Sequence, residues 1–464
     1  MTTATDTATS PRDRSPRLLG HTGPGQDRQE GLWRGLPARQ QPAWPDPAAL
    51  RAVREELAAA PPLTAVPDIR RLEAALARVA AGQAFLLQAG DCAEPMGAAA
   101  VAALRGKHLL VGGMAEMMSE ATGLPTVTLG RVAGQFAKPR SRPTETVGGV
   151  EMEAFRGESV NAPAADAALR VPDPGRMADA YRTSRAVLNE MYILARETAA
   201  SWEEDPRSPG PGTAPRRPGR AWDGSLRSIV DGYGHTRRRG GTWNATGLWA
   251  GHESLLLDYE EPLVRADPLT GERFLTSTHL PWIGERTNRV DEAHVSFHAG
   301  IANPVGCKVG PSTAPDDLVR LCAALDPNRR PGRLVLICRL GADRVRRLLP
   351  DLVRAVRGAG HHLVWVCDPM HGNTERLGGH KTRRTDRITS EIEGFFAVLR
   401  SQGVWPGGVH LEATDGEVTE CLGPGGPLDE AGLGERYLTL CDPRLNEKQS
   451  FALADTVGRL VAEG

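Results

Sequence analysis

The sequence predicts an α/β protein, a (β/α)8 TIM barrel preceded by an N-terminal helical extension, and two features carry that expectation. Eight short runs rich in Leu, Val and Ile recur after residue 83, continuous rather than alternating, as parallel strands covered on both faces should be. Nearly every run ends in polar or charged residues, as barrel strands that build a site at their C-terminal ends do. An open doubly wound sheet would gather its ligands at one crevice instead.

Residues 1–45 are rich in Pro, Gly, Thr, Arg and Gln with little apolar periodicity, so they are expected to form a flexible arm that orders only against a partner subunit. From residue 46 the pattern changes. Stretches 47–60 and 67–81 carry apolar residues at helical spacing, and Asp46 with Pro47 makes a helix start. They form a helical extension over 46–82, and the catalytic barrel takes 83–464. Its strands are expected at 84–90 (AFLLQAG), 125–134 (PTVTLGRVAG), 253–259 (ESLLLDY), 281–286 (PWIGER), 304–310 (PVGCKVG), 333–342 (RLVLICRLGA), 362–372 (HLVWVCDPMHG) and 407–416 (GGVHLEATDG). Helix-like stretches such as DDLVRLCAAL, DRVRRLLPDLVRAVRG and RITSEIEGFFAVLRSQG separate the later ones. Residues 203–221 are too rich in Pro, Gly and Arg for regular structure and are expected to be a mobile loop inserted in the barrel.

The bulk composition narrows the function. Across 464 residues, 56 Lys and Arg nearly balance 57 Asp and Glu, so no net field points to nucleic acid or an anionic membrane. The chain has no apolar run of about 18 residues, and its first residues, MTTATDTATSPRDRSPR, lack the apolar core of a signal peptide. A cytoplasmic protein is the expectation. The seven cysteines show no CxxC spacing, which suits reduced thiols, most of them small buried hydrophobes. Cys92 and Cys441 stand apart because each lies beside an acid, in GDCAE and CDPRLN.

Two kinds of chemistry converge on the strand ends. Cys92, His371, Glu412 and Asp442 offer a thiolate, an imidazole and two carboxylates, a mixed shell suited to Mn, Fe, Co, Zn or Cu rather than Mg or Ca. Ligands spread over separate strand ends favour an open, catalytic site over a structural zinc. Within DPMH, Asp368 and Pro369 read as turn chemistry, leaving His371 as the ligand and Cys367 as core. The second set is cationic: Arg131, Lys138, Arg140, Arg286, Lys308 and Arg339. Such cations are costly to desolvate unless an anion meets them, and phosphate matches both the Arg fork and the Lys point charge. KPRS alone would read as a solvated basic loop; within the whole set it reads as a phosphate site. A metal with two anion pockets points to an enzyme acting on phosphorylated substrates.

Ten motifs then give the chain a family likeness. PAWPD (42–46), FLLQAGDCAE (85–94), GRVAGQFAKPRS (130–141), RVPDP (170–174), HESLLLDYE (252–260), WIGERT (282–287), ANPVGCKVGP (302–311), DPMHGNT (368–374), GGVHLEATDGEVTEC (407–421) and CDPRLNEKQS (441–450) follow in order. Together they resemble the type II 3-deoxy-D-arabino-heptulosonate 7-phosphate (DAHP) synthases, the first enzymes of the shikimate pathway. The resemblance implies a (β/α)8 barrel that condenses phosphoenolpyruvate with erythrose 4-phosphate using a divalent metal such as Mn, Co or Zn. It implies that Cys92, His371, Glu412 and Asp442 hold the metal. Arg131, Glu285, Lys308 and Arg339 would line the phosphoenolpyruvate pocket, Arg286 would sit between the substrates, and Lys138, Arg140 and Ser141 would hold the aldose phosphate. Lys308, Glu285 and Arg286 are the catalytic residues on this reading, with proton transfer open between Lys308 and a metal-bound water. Glu253 either positions phosphoenolpyruvate through water or is a buried acid satisfied by arginines.

The chain also departs from the pattern. Residues 190–250, including HTRRRGG, are unlike the usual text before HES; Arg142 follows KPRS; and Thr414-Asp415 replaces the usual TG. These departures fall near the acceptor side and keep two alternatives open. One is the same chemistry on an amino- or iminotetrose phosphate in specialised metabolism, such as antibiotic biosynthesis; the other is a non-catalytic regulatory relative. The segment bearing Trp33 and Trp44 suggests a homo-oligomer.

Overall fold

The computed structural model describes residues 31–203 and 248–463. Eight strands close into a barrel in chain order: β1 (Phe85–Gly90), β2 (Thr126–Arg131), β3 (Trp249–Glu253), β4 (Leu280–Ile283), β5 (Val305–Val309), β6 (Leu334–Cys338), β7 (Val364–Cys367) and β8 (Gly408–Glu412). All neighbours pair in parallel, and β1 closes the ring by pairing with both β2 and β8. Continuous apolar text becomes strand here because both faces are covered: every residue of β1, β2 and β5 is buried.

Two helices precede the barrel, α1 (Pro47–Ala59) and α2 (Val66–Ala80), within a residue of where periodicity put them. Asp46 caps α1 by accepting from the Ala48 and Ala49 amides. Helix α2 plugs the barrel: its Leu72, Leu76 and Val79 cluster with inward-facing Leu86, Val127 and Val364 of the strands. Around the ring lie α3 (Ala98–Thr122), α4 (Gly175–Glu203), α5 (Ala293–Ala299), α6 (Pro315–Leu325), α7 (Val345–Gly358), α8 (Thr385–Ser401) and α9 (Glu447–Ala462). A capping box of Asn446 and Gln449 starts α9, fixing the direction of the chain just after CDPRL. Among the described residues no helix is long and apolar enough to cross a membrane.

Two expectations need correction. The third strand is Trp249–Glu253, not 253–259; Leu257–Glu260 forms a single helical turn. The LLL run is buried without being a strand, because Gln41 replaces a strand partner. Its amide donates to the Leu255 carbonyl at 2.8 Å and its carbonyl accepts from the Leu257 amide at 3.1 Å. Nor is all of 1–45 a free arm. Residues 31–45 run as a strap along the chain's own barrel, with Trp33 edge-on to Phe297 and the Trp44 indole N–H donating to Asp258. Residue 203 ends α4, and the rest of the expected 203–221 loop, the remaining arm residues and HTRRRGG lie outside the described residues.

Candidate active site

The polar strand ends meet at one mouth of the barrel. His371, just past β7, and Glu412, the last residue of β8, stand with His371 Nε2 3.1 Å from Glu412 Oε1. Donor atoms of His371, Glu412 and Asp442 all lie within 4.8 Å of one another, and so do those of Cys92, Cys441 and Asp442. Asp442 joins the two groups: its amide donates to Cys92 Sγ at 3.2 Å, and Cys92 Sγ lies 3.5 Å from its Oδ2. The four residues singled out as ligands therefore fall into two donor groups that meet at Asp442, with Cys441 added from the same CDPRL segment. Burial pushes the Glu412 carboxyl up, but His371, Arg383 and Arg131 together hold it well below the usual carboxylate range. Asp442 is likewise held low against burial and Glu412, by Lys138, Arg383 and Lys381. An anionic nest of this N/O/S composition, with an imidazole nitrogen turned into it, fits a transition-metal ion.

The imidazole is set in place by a residue read from the sequence as a turn. Asp368 is fully buried and its carboxylate sits 2.8 Å from His371 Nδ1 and 2.5 Å from Lys308 Nζ. With Nδ1 against Asp368, the Nε2 edge of the ring is turned toward Glu412 and Asp442, the edge that would face a metal. Burial opposes ionisation of Asp368, yet His371 and Lys308 hold its carboxyl well below the ordinary range. The acid three residues before the histidine was the available signal, masked by the ordinary turn chemistry of Asp-Pro.

Above this floor opens a cavity of about 830 Å³. Lys138, Arg140, Ser141, Glu253, Glu285, Arg286, Lys308, Arg339, His371 and Asp442 line it. Arg131, Cys92 and Glu412 do not; they lie beneath. Arg131 is 2% exposed and donates to Glu412 Oε1 and the Cys92 carbonyl, each at 3.1 Å, and to His410 Nε2 at 2.8 Å. On one side Arg339 pairs with Glu285 and donates to the His371 carbonyl at 2.6 Å, next to Lys308. Burial pulls the Lys308 ammonium down despite Asp368, which makes its proton easier to give up. On the other side Arg286 donates to Ser141 Oγ at 2.9 Å, while Arg140 pairs with Glu145 at 2.5 Å and reaches Cys441 Sγ at 3.8 Å. Lys138 is buried and donates to the Cys92 carbonyl at 2.7 Å, linking KPRS to the donor cluster.

Glycines make room for the two cavity acids. A Cβ at Gly310 would lie 1.5 Å from Glu285 Oε1, and one at Gly284 would lie 2.0 Å from Glu253 Oε1. That Glu253 oxygen is buried at the cavity wall and, among the described residues, has no hydrogen-bond partner. Sequence reasoning also missed Arg383, fully buried, which donates to Glu412 Oε2 at 2.7 Å and to Thr374 at 2.9 Å. It missed the buried network behind Cys92 and Asp442 as well. There Asp91 pairs with Lys107 and, at 2.8 Å, with Arg444, which also meets Glu420 at 2.7 Å.

The sequence profile of the class-II DAHP synthetase family matches residues 28–458. The chain belongs to this family. Among relatives, a phospho-2-dehydro-3-deoxyheptonate aldolase of Streptomyces coelicolor is 43% identical over 439 residues, covering 92% of this chain and 96% of the relative. Proteins of the same name from Mycolicibacterium smegmatis and Neurospora crassa are 40% and 41% identical, covering 92% and 91% of this chain and 93% and 92% of theirs. As a member of the class-II DAHP synthetase family the chain is an enzyme, a transferase of the DAHP synthase type.

Proposed function

We propose that the enzyme condenses phosphoenolpyruvate with erythrose 4-phosphate to give DAHP and phosphate. The observation that supports this best is a donor cluster of His371, Glu412 and Asp442 at the floor of one cavity, with Glu412 just beneath it and two separate groups of cations in its walls. Cys92, His371, Glu412 and Asp442 would hold a divalent ion, Mn, Co or Zn, which when bound supplies Lewis-acid polarisation of an aldehyde oxygen. Lys308 and Arg339, with Arg131 beneath them and Arg286 between the two substrates, hold phosphoenolpyruvate. Lys138, Arg140 and Ser141 take the phosphate of the aldose.

The residues then orient the two reactants. With both anions fixed, C3 of phosphoenolpyruvate faces the aldehyde carbon, and the C–C bond forms as the aldehyde oxygen gains charge. Lys308 donates the proton to that oxygen, its acidity raised by burial and its position fixed by Asp368. Water adds at C2 and gives a proton back to the Lys308 amine, the bond between C2 and the bridging ester oxygen breaks, and phosphate leaves with that oxygen among the same cations that bound it. Glu253, whose Oε1 has no hydrogen-bond partner among the described residues, would hold that water or the substrate through one.

Loss of phosphoenolpyruvate absorbance on adding erythrose 4-phosphate, with Mn or Co present, tests the reading. Turnover is expected. No turnover with either metal would sink it and return the amino- or iminotetrose phosphates as acceptors to be assayed.

A further inference from the structure

We infer that Gln40 is a positioning residue for the aldose-phosphate half of the cavity, holding the KPRS loop through the Arg140 amide. The inference rests on the proposed function for the identity of the substrate bound there. Gln40 Oε1 accepts a 2.8 Å hydrogen bond from the Arg140 backbone N–H, a partner one hundred residues away in sequence. The Gln40 backbone sits at φ 63°, in the left-handed region that a residue with a Cβ enters at a cost. Glycine would adopt that conformation freely, so it is the side chain that gives the position its use.

The strap on either side of Gln40 is fastened to other elements. Arg39 Nε donates to Glu292 at 2.6 Å, the Ala293 amide donates to the Pro37 carbonyl at 3.1 Å, and Gln41 holds Leu255 and Leu257. Gln40 is thus anchored to α5 and to the loop after β3, and cannot simply follow a moving KPRS loop. That loop has no regular structure of its own. Its Lys138 amide donates to the Arg156 carbonyl at 2.8 Å, and its Arg140 amide is given to Gln40. Among the described residues, two bonds therefore fix the backbone from which the Lys138, Arg140 and Ser141 side chains project into the cavity. The groups on the phosphoenolpyruvate side are held by different partners, Lys308 by Asp368 and Arg339 by Glu285 and the His371 carbonyl. Loosening the strap should therefore act on one substrate and spare the other.

Two substitutions separate the bond from the backbone conformation. Gln40→Met keeps the shape and removes the acceptor, whereas Gln40→Gly removes the acceptor and relieves the backbone. In both, amide exchange followed by mass spectrometry on peptides spanning 138–142 should accelerate, with the thermal midpoint unchanged as the check on folding. Both should raise KM for erythrose 4-phosphate about three- to tenfold, the size of one net hydrogen bond, while KM for phosphoenolpyruvate stays within about twofold. Unchanged exchange, or the two KM values rising together, or neither rising, overturns the inference. The exchange measurement needs no substrate. If the wild-type enzyme does not turn over erythrose 4-phosphate, it is the substrate reading that fails, and exchange together with inorganic phosphate affinity in the same variants still decides the role of Gln40.

Discussion

Asp368 carries more of the account than its place in a turn suggests. One buried carboxylate holds the His371 ring through Nδ1 and pairs with Lys308. Asp368→Asn should weaken metal affinity about 10- to 100-fold, the usual effect of removing a partner that orients a ligand, and lower kcat/KM at least as much. Metal titration and steady-state rates measure both; an unchanged affinity would contradict the role. The same carboxylates set an acid limit on stability. Asp368 and Glu412 have folded pKa values below their unfolded values, about 3.9 and 4.3 for free side chains. Their contribution is fully present above the unfolded values and is lost as pH falls toward the folded ones. The urea midpoint of metal-stripped protein should therefore climb with pH from 3 to about 5 and then flatten; Asp368→Asn should shrink that climb.

At the scale of elements, the loops after β6 and β7 are tied by one residue of α8. Glu391 Oε1 accepts from the Leu340 and Gly341 amides at 2.8 and 2.7 Å, and Oε2 accepts from Asn373 at 2.7 Å. These are the loops that carry Arg339 and His371. Burial raises the Glu391 carboxyl to about 7, against the pull of those donors. Glu391→Ala strands buried amides and should cost about 2–5 kcal/mol in denaturant unfolding, with a drop in activity. A stable, fully active variant would show that the tie is dispensable. Most barrel strands were legible because a covered strand is a short apolar run with chemistry at its end. ESLLLDY was misplaced because its burial depends on Gln41, two hundred residues earlier. Arg383, Arg444 and Lys107 were illegible for the same reason: in polar text a charged residue looks solvated until its distant partner is known. The four metal-type residues were legible because Cys, His and carboxylates are unusual at the ends of apolar runs.

Across the whole molecule, the site is assembled from opposite ends of the chain. Cys92 and Asp442 meet across 350 positions, backed by Asp91 and Arg444. An ion bound by both should stabilise the entire fold, by about 2.7 kcal/mol at one hundred times its Kd, and raise the thermal midpoint of metal-stripped protein. At the other end of the barrel α2, packed on the strand starts, should contribute stability alone. Leu76→Ala should cost about 2–5 kcal/mol by opening a cavity, with kcat unchanged at a temperature where the variant is folded. A fall in kcat there would mean that the two ends are coupled. Cys92 after β1, His371 after β7, Glu412 at the end of β8 and Asp442 of the CDPRL segment are proposed to hold one catalytic ion. Metal content and turnover of erythrose 4-phosphate, measured together on wild type and His371→Ala, test it most directly. One ion per chain with turnover in the wild type, and loss of both in the variant, is the predicted result; a variant that keeps its ion and its activity would contradict it.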